Sequence, residues 1–180
     1  MPDRTHPGNL FELAQSAAED TFSTDSSAGN ADKVCAVALR IASDQTVSYF
    51  SGGPGYNKLV ARVGGNKKDA QRAVTDVITQ FLKSPQGGGF TQQQITHTAY
   101  AEHGRGAMNC AEPKVWYHIR KVMEQDPGDW VIVPFNKVAD GGALVYNPPC
   151  RNCRRWVYGQ FHTLSRTIAL AYGGPTALDA

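Results

Sequence analysis

The clearest periodicity in the chain runs from Lys67 to Lys83. Ala70, Ala73, Val74, Val77, Ile78, Phe81 and Leu82 recur at three- and four-residue steps and predict an amphipathic helix. Asn66 fits its N-cap, Asp69 suits the positive end of the helix dipole, and Ser84-Pro-Gln-Gly-Gly-Gly ends it. Upstream, the apolar run from Lys33 to Ile41 reads as a buried strand. Thr46-Val-Ser-Tyr-Phe, with β-branched and aromatic residues, completes a hairpin with it. The Gly- and Pro-bearing stretch Ser51 to Asn57 is expected to be irregular.

Further along, Ile95 to Tyr100 fits a short strand. A second helix is expected from about Cys110 to Gln125, with Asn109 as cap and Val115, Trp116, Ile119, Val122 and Met123 on its apolar face. On that wheel His118 falls opposite the apolar face and is expected in solvent. Asp126-Pro-Gly-Asp stops this helix, Trp130-Val-Ile-Val is a strong strand, and Ala143 to Tyr146 is a second apolar piece. A third helix is expected to start at Cys150. Leu164 to Tyr172 fits a strand or a helix, and periodicity does not decide between them. Strands alternating with helices predict an α/β sandwich around one central sheet.

Residues 1–31 read as a leader or linker. Its amphipathic stretch Leu10 to Ala18 suits a short docked helix, and the polar stretch Thr21 to Asn30 suits a loop. Residues 32–180 are the expected domain. A chain of 180 residues with 41% apolar and 19% charged positions can form a core, and wholesale disorder is excluded. The net charge of +2 does not by itself announce a nucleic-acid binder. No run approaches the ~18 apolar residues of a membrane span, and no basic-then-apolar segment marks a cleavable signal. A cytoplasmic site of action is expected, with export by a signal-independent route left open.

The four cysteines change the picture. In a reducing compartment thiols serve as metal ligands more often than as disulfides. Cys35 sits inside the apolar strand and reads as core, the competing reading being a fourth metal ligand. The others lie in Asn109-Cys110-Ala111-Glu112-Pro113 and Pro148-Pro149-Cys150-Arg151-Asn152-Cys153. Two thiols at a helix start, separated by two residues, can point at one ion. Three ligands leave a coordination position for water, whereas structural zinc sites close with four. A bound metal makes that water nucleophilic near neutral pH, and Glu112 stands close enough in sequence to move its proton.

Here the sequence resembles the zinc-dependent cytidine deaminase superfamily, whose signature is His or Cys, one residue, Glu, and then Pro-Cys-x-x-Cys. It stands in this chain as Cys110-Ala-Glu112 and Pro149-Cys150-Arg-Asn-Cys153. The first ligand is Cys rather than His, and the stretch from Val133 to Pro148 is longer than a minimal connection. The resemblance implies a three-layer sandwich with a central mixed sheet of about five strands flanked by helices. It also implies one Zn2+ per chain on Cys110, Cys150 and Cys153, with Glu112 as proton shuttle.

The compact size, the Cys-Ala-Glu variant and the flanking arginines are similar to bacterial toxin-like deaminases. That likeness implies cytosine-to-uracil conversion in single-stranded or flipped-out nucleic acid, above all single-stranded DNA, and an immunity protein if the chain is a toxin. Candidate substrate contacts are Asn57, His103, Arg151 and Arg154. The alternatives are a deaminase of a free cytidine-type nucleoside, nucleotide or other small aminated heterocycle, and a non-catalytic zinc-stabilised binding module. Lys58, Arg62, Lys67, Lys68 and Arg72 form a second basic set, expected on one rim.

Overall fold

The computed structural model describes residues 2–24, 33–96, 108–137, 144–174 and 177. Helix α1 (Pro7–Thr24) leads into strands β1 (Val34–Arg40) and β2 (Thr46–Phe50), then helices α2 (Gly52–Val63) and α3 (Lys67–Lys83). Helix α4 (Ala111–Tyr117) continues as a π-helical stretch, His118–Val122. Strands β3 (Trp130–Lys137) and β4 (Leu144–Tyr146) follow, then helices α5 (Arg151–Gln160) and α6 (Leu164–Gly173).

Among the described residues the sheet has four strands in the order β2-β1-β3-β4, and every neighbouring pair is antiparallel. The expectation of a mixed sheet of about five strands is corrected. Two segments stood as further strand candidates. Leu164 to Tyr172 lies in α6, with Ser165, Ile168 and Ala169 buried, and residues 92–96 form a helical turn that takes in Ile95. Residues 97–100 lie outside the described set.

Each strand of the hairpin and its neighbour is covered on both faces. Cys35 is paired with Phe50 on one side and Phe135 on the other, and directly paired residues share a face. Phe50 meets Phe22 at 4.9 Å and Phe135 meets Phe11 at 5.4 Å between ring centroids, so α1 covers this face. Tyr172 of α6 stacks on Phe11 at 3.7 Å, joining the two helices of that layer. On the other face Tyr49 shares a 2.5 Å hydrogen bond with Nδ1 of His118. Trp116 of α4 packs against Phe81 of α3 at 5.0 Å and Trp156 of α5 at 5.9 Å. The result is three layers, with the whole of β1 from Cys35 to Leu39 buried between them.

Local sequence accounts for most of these elements. The Asn66 side chain accepts the Asp69 amide while the Asp69 carboxylate accepts the Asn66 amide, a reciprocal box that starts α3. Leu10, Ala14 and Ala18 form the buried stripe of α1, which runs to Thr24 and so extends into the stretch expected as loop. Gln15 also donates to the Leu144 carbonyl at 3.0 Å.

Ser51 to Asn57 is not irregular: helix α2 starts at Gly52. Gly52 turns the chain at φ 68°, and Pro54 falls in the first helical turn, where an amide is not needed. Gly55 is required there, because a β-carbon on it would come within 2.0 Å of the Phe50 carbonyl oxygen.

Candidate metal centre

Two helix starts build the site. Cys110 caps α4 at φ −64°, ψ 159°, and Cys150 caps α5 at φ −65°, ψ 163°. Asn109, expected as the cap of α4, sits one residue earlier. In both helices the capping side chain makes no bond to its own first-turn amides. The two sulfurs turn toward each other instead, 3.4 Å apart. Cys153, in the first turn of α5, completes a group whose three sulfurs all lie within 4.8 Å of one another.

What carries Cys150 into place is the end of the sheet. The Asn147 amide donates to the Pro134 carbonyl at 2.9 Å, just past the β3–β4 ladder. In a strand the N and C=O of one residue point the same way, so the missing amide of Pro134 faces that same ladder end and breaks no pairing. Pro148 and Pro149 then keep the chain extended up to the cap.

A three-sulfur group of this size could hold a metal ion. Tetrahedral bonds of about 2.3 Å put sulfurs about 3.8 Å apart, within the spread seen here. The donor set points the same way. Hydrogen bonding to Cys150 and burial push the Cys110 thiol well above its ordinary value, and hydrogen bonds from Cys110 and Cys150 with burial do the same for Cys153. The Cys110 and Cys153 thiols thus resist ionising, and a divalent cation at the centre of the group reverses that balance.

Cys35 takes no part. It faces α1 across the sheet, and burial pushes its thiol up to about 12. Among the described residues no fourth His, Cys or carboxylate oxygen joins the three sulfurs.

Glu112, two residues into α4, is only 3% exposed. Burial, with help from the neighbouring Cys150, raises its carboxyl to about 7, opposed by a hydrogen bond from its own backbone amide, by Lys114 and by a hydrogen bond from Cys153. Lys114 is fully buried. Its ammonium donates to the Asn109 and Cys110 carbonyls at 3.0 and 3.2 Å and lies 4.4 Å over the Tyr56 ring. Burial pulls it down to about 7, against the pull of Cys110, Glu112 and Cys153. Lys114 therefore ties down the backbone that presents Cys110.

Sequence reasoning missed Lys114. Its signal was the four-residue step from Cys110, which puts the two on one side of a helix.

Cys110, Glu112 and Cys150 open into a cavity of about 440 Å³ whose wall also includes Val34, Ser51, Asn109, Asn147, Pro149 and Arg154. That volume suits one small ring system. Comparison of the chain with family models, curated proteins and solved structures returns no significant match. The site thus stands on its own geometry.

Of the expected substrate contacts, Arg154 lines the cavity and donates to the Pro149 carbonyl at 3.0 Å. Arg151 is exposed beside Cys150. Asn57 is exposed on α2 and does not line the cavity, because the stretch carrying it is helical rather than a loop over the site. His103 lies outside the described residues. Ser51 and Asn147 were not singled out from sequence, and Asn109 was expected only as a helix cap.

His118, expected in solvent, is half-buried against Tyr49. Burial first, then Arg62 and Lys58, pull its pKa down to about 4. Among the described residues no helix is long and apolar enough to cross a membrane.

Proposed function

We propose that the chain is a zinc-dependent hydrolytic deaminase that converts cytosine to uracil, with a base in single-stranded or flipped-out nucleic acid as substrate. The observation that carries this reading is a group of three convergent sulfurs, two of which, on Cys110 and Cys150, share one cavity wall with the buried Glu112 carboxyl. Soft thiolates in a compact set favour zinc over harder divalent ions. Held by Cys110, Cys150 and Cys153, zinc would supply Lewis acidity at a fourth position left for solvent.

The chain's own residues do the rest. Glu112 takes a proton from the attacking water and delivers protons to the ring nitrogen and the departing amine. Cytosine and water become uracil and ammonia, so no redox partner is needed. The cavity walls hold the ring and exclude bulk water, while Lys114 keeps the Cys110 cap from moving.

The test is deamination of cytosine in a mixed-sequence oligonucleotide, run beside free cytidine. Uracil should form in the oligonucleotide, and Glu112→Gln should lower the rate about 10²–10⁴-fold with metal content unchanged. Turnover of free cytidine alone would move the substrate to a nucleoside. A Glu112→Gln protein as active as the wild type would remove the carboxyl from the reaction, and a zinc-loaded protein that turns over neither substrate would leave a zinc-stabilised binding module.

A further inference from the structure

The positive charge of this chain is unevenly placed. Residues 52–83, which make up α2, α3 and their link, carry six basic and two acidic side chains, a net +4 in a chain whose total is +2. Arg62, Lys67, Lys68 and Arg72 are all exposed there. This helix pair adjoins the cavity. Gly52 follows the cavity residue Ser51 and donates its amide to the carbonyl of Asn109, another cavity residue, at 2.8 Å. Lys67 folds back from α3 over the next residue, so that a β-carbon on Gly53 would come within 2.5 Å of its Nζ. One end of the basic corner therefore sits at the cavity rim. Arg154 adds a guanidinium to the cavity wall from a different helix, α5.

We propose that the α2–α3 corner headed by Lys67 binds the phosphodiester backbone of a single-stranded polynucleotide while one base of that strand enters the cavity beside Arg154. The inference rests on the deaminase reading for what happens to the base, but not for the binding itself. Clustered cations beside a recess suit a strand whose phosphates stay outside and whose base turns in. An acidic peptide such as polyglutamate offers the same charge but no planar ring for a cavity of about 440 Å³, whereas every nucleotide carries both.

The test is fluorescence anisotropy of the metal-loaded protein with labelled single-stranded DNA, single-stranded RNA and a polyglutamate peptide, at about 50 and 200 mM salt. The wild type binds one or both nucleic acids, more weakly at the higher salt. Lys67→Glu weakens that binding about tenfold and reduces the salt slope by about one or two. Lys83→Glu, about 24 Å away at the far end of the same helix, leaves it unchanged. Comparing the DNA and RNA arms tells which polymer is held. Lys67 is exposed, and melting curves check that the variant is folded.

Wild-type binding by Lys67→Glu overturns the proposal, as does Lys67-dependent binding of polyglutamate without nucleic acid. A protein that binds oligonucleotide through Lys67 yet deaminates nothing supports this surface and sinks the reaction. One that deaminates free cytidine but binds no oligonucleotide keeps the reaction and sinks the surface.

Discussion

The starts of α4 and α5 have nearly the same backbone and different surroundings. Both are capped by a cysteine with φ near −65° and ψ near 160°, and both turn the sulfur away from their own amides. From Ala111 to Tyr117 every residue of α4 is buried, and the helix brings Glu112 and Lys114 into the interior. The start of α5 brings the other two sulfurs, while Arg151 faces solvent and Arg154 stands in the cavity wall. One local motif thus serves twice. The buried copy positions a carboxyl beside the sulfurs, and the open copy supplies the paired thiols and the cationic mouth. The difference is one of packing: α2 lies across α4, and Gly55 and Tyr56 press on Lys114.

The largest effect expected from this comparison is shared by both copies. Cys110→Ser and Cys150→Ser should each reduce bound zinc from about one per chain to near none, read by elemental analysis after dialysis. A variant of either cysteine that keeps its full complement would separate the two halves of the site and break the symmetry.

The next effect divides them. Gly55→Ala drives a methyl into the Phe50 carbonyl and the Lys114 stem, with a gap of 2.0 Å to the oxygen. A loss of about 3 kcal/mol or more in denaturant unfolding is expected. Gly159, on α5, has no heavy atom within 4 Å of where its β-carbon would stand. Gly159→Ala should be neutral or stabilising, by up to about 1 kcal/mol.

Between these two in size is His118, just past the far end of α4. Its folded pKa of about 4 lies below the ordinary value of 6.5, so between those values the unfolded chain holds more protons. Stability is complete above pH about 6.5 and falls as pH drops toward 4. Because the ring is only half-buried, roughly 1 kcal/mol of that loss should belong to His118. Melting curves of the wild type and His118→Gln across that range should converge at low pH; parallel curves would show that the imidazole contributes nothing.

The elements that sequence patterns reached are those whose signals are local. Helix α3 matches its periodic segment and its Asn66 cap, and β1 and β3 follow their apolar runs, because burial on one stripe or both faces leaves a direct mark on residue type. The three site cysteines and Glu112 were legible as a spaced motif. The elements that escaped depended on a neighbour. Gly and Pro at Ser51 to Asn57 signal a break unless a helix begins there; here Gly52 turns the chain into α2, and Gly55 lets that helix lie against the end of β2 and the Lys114 stem. His118 looked solvated on a helical wheel until Tyr49 of the sheet reached it.

What the chain's order of residues settled unaided was the donor chemistry: three thiols and a carboxyl at spacings that two helix starts can present. Convergence was a tertiary outcome. Cys110 and Cys150 stand 40 residues apart in sequence and 3.4 Å apart in space, and the bond from the Asn147 amide to the Pro134 carbonyl fixes the chain three residues before the second of them. Burial was likewise tertiary, since nothing in Cys-Ala-Glu-Pro-Lys tells a lysine on a surface from one closed in by α2. Residue type fixes which bonds a side chain can make, whereas exposure and partner are properties of the packed layers around it.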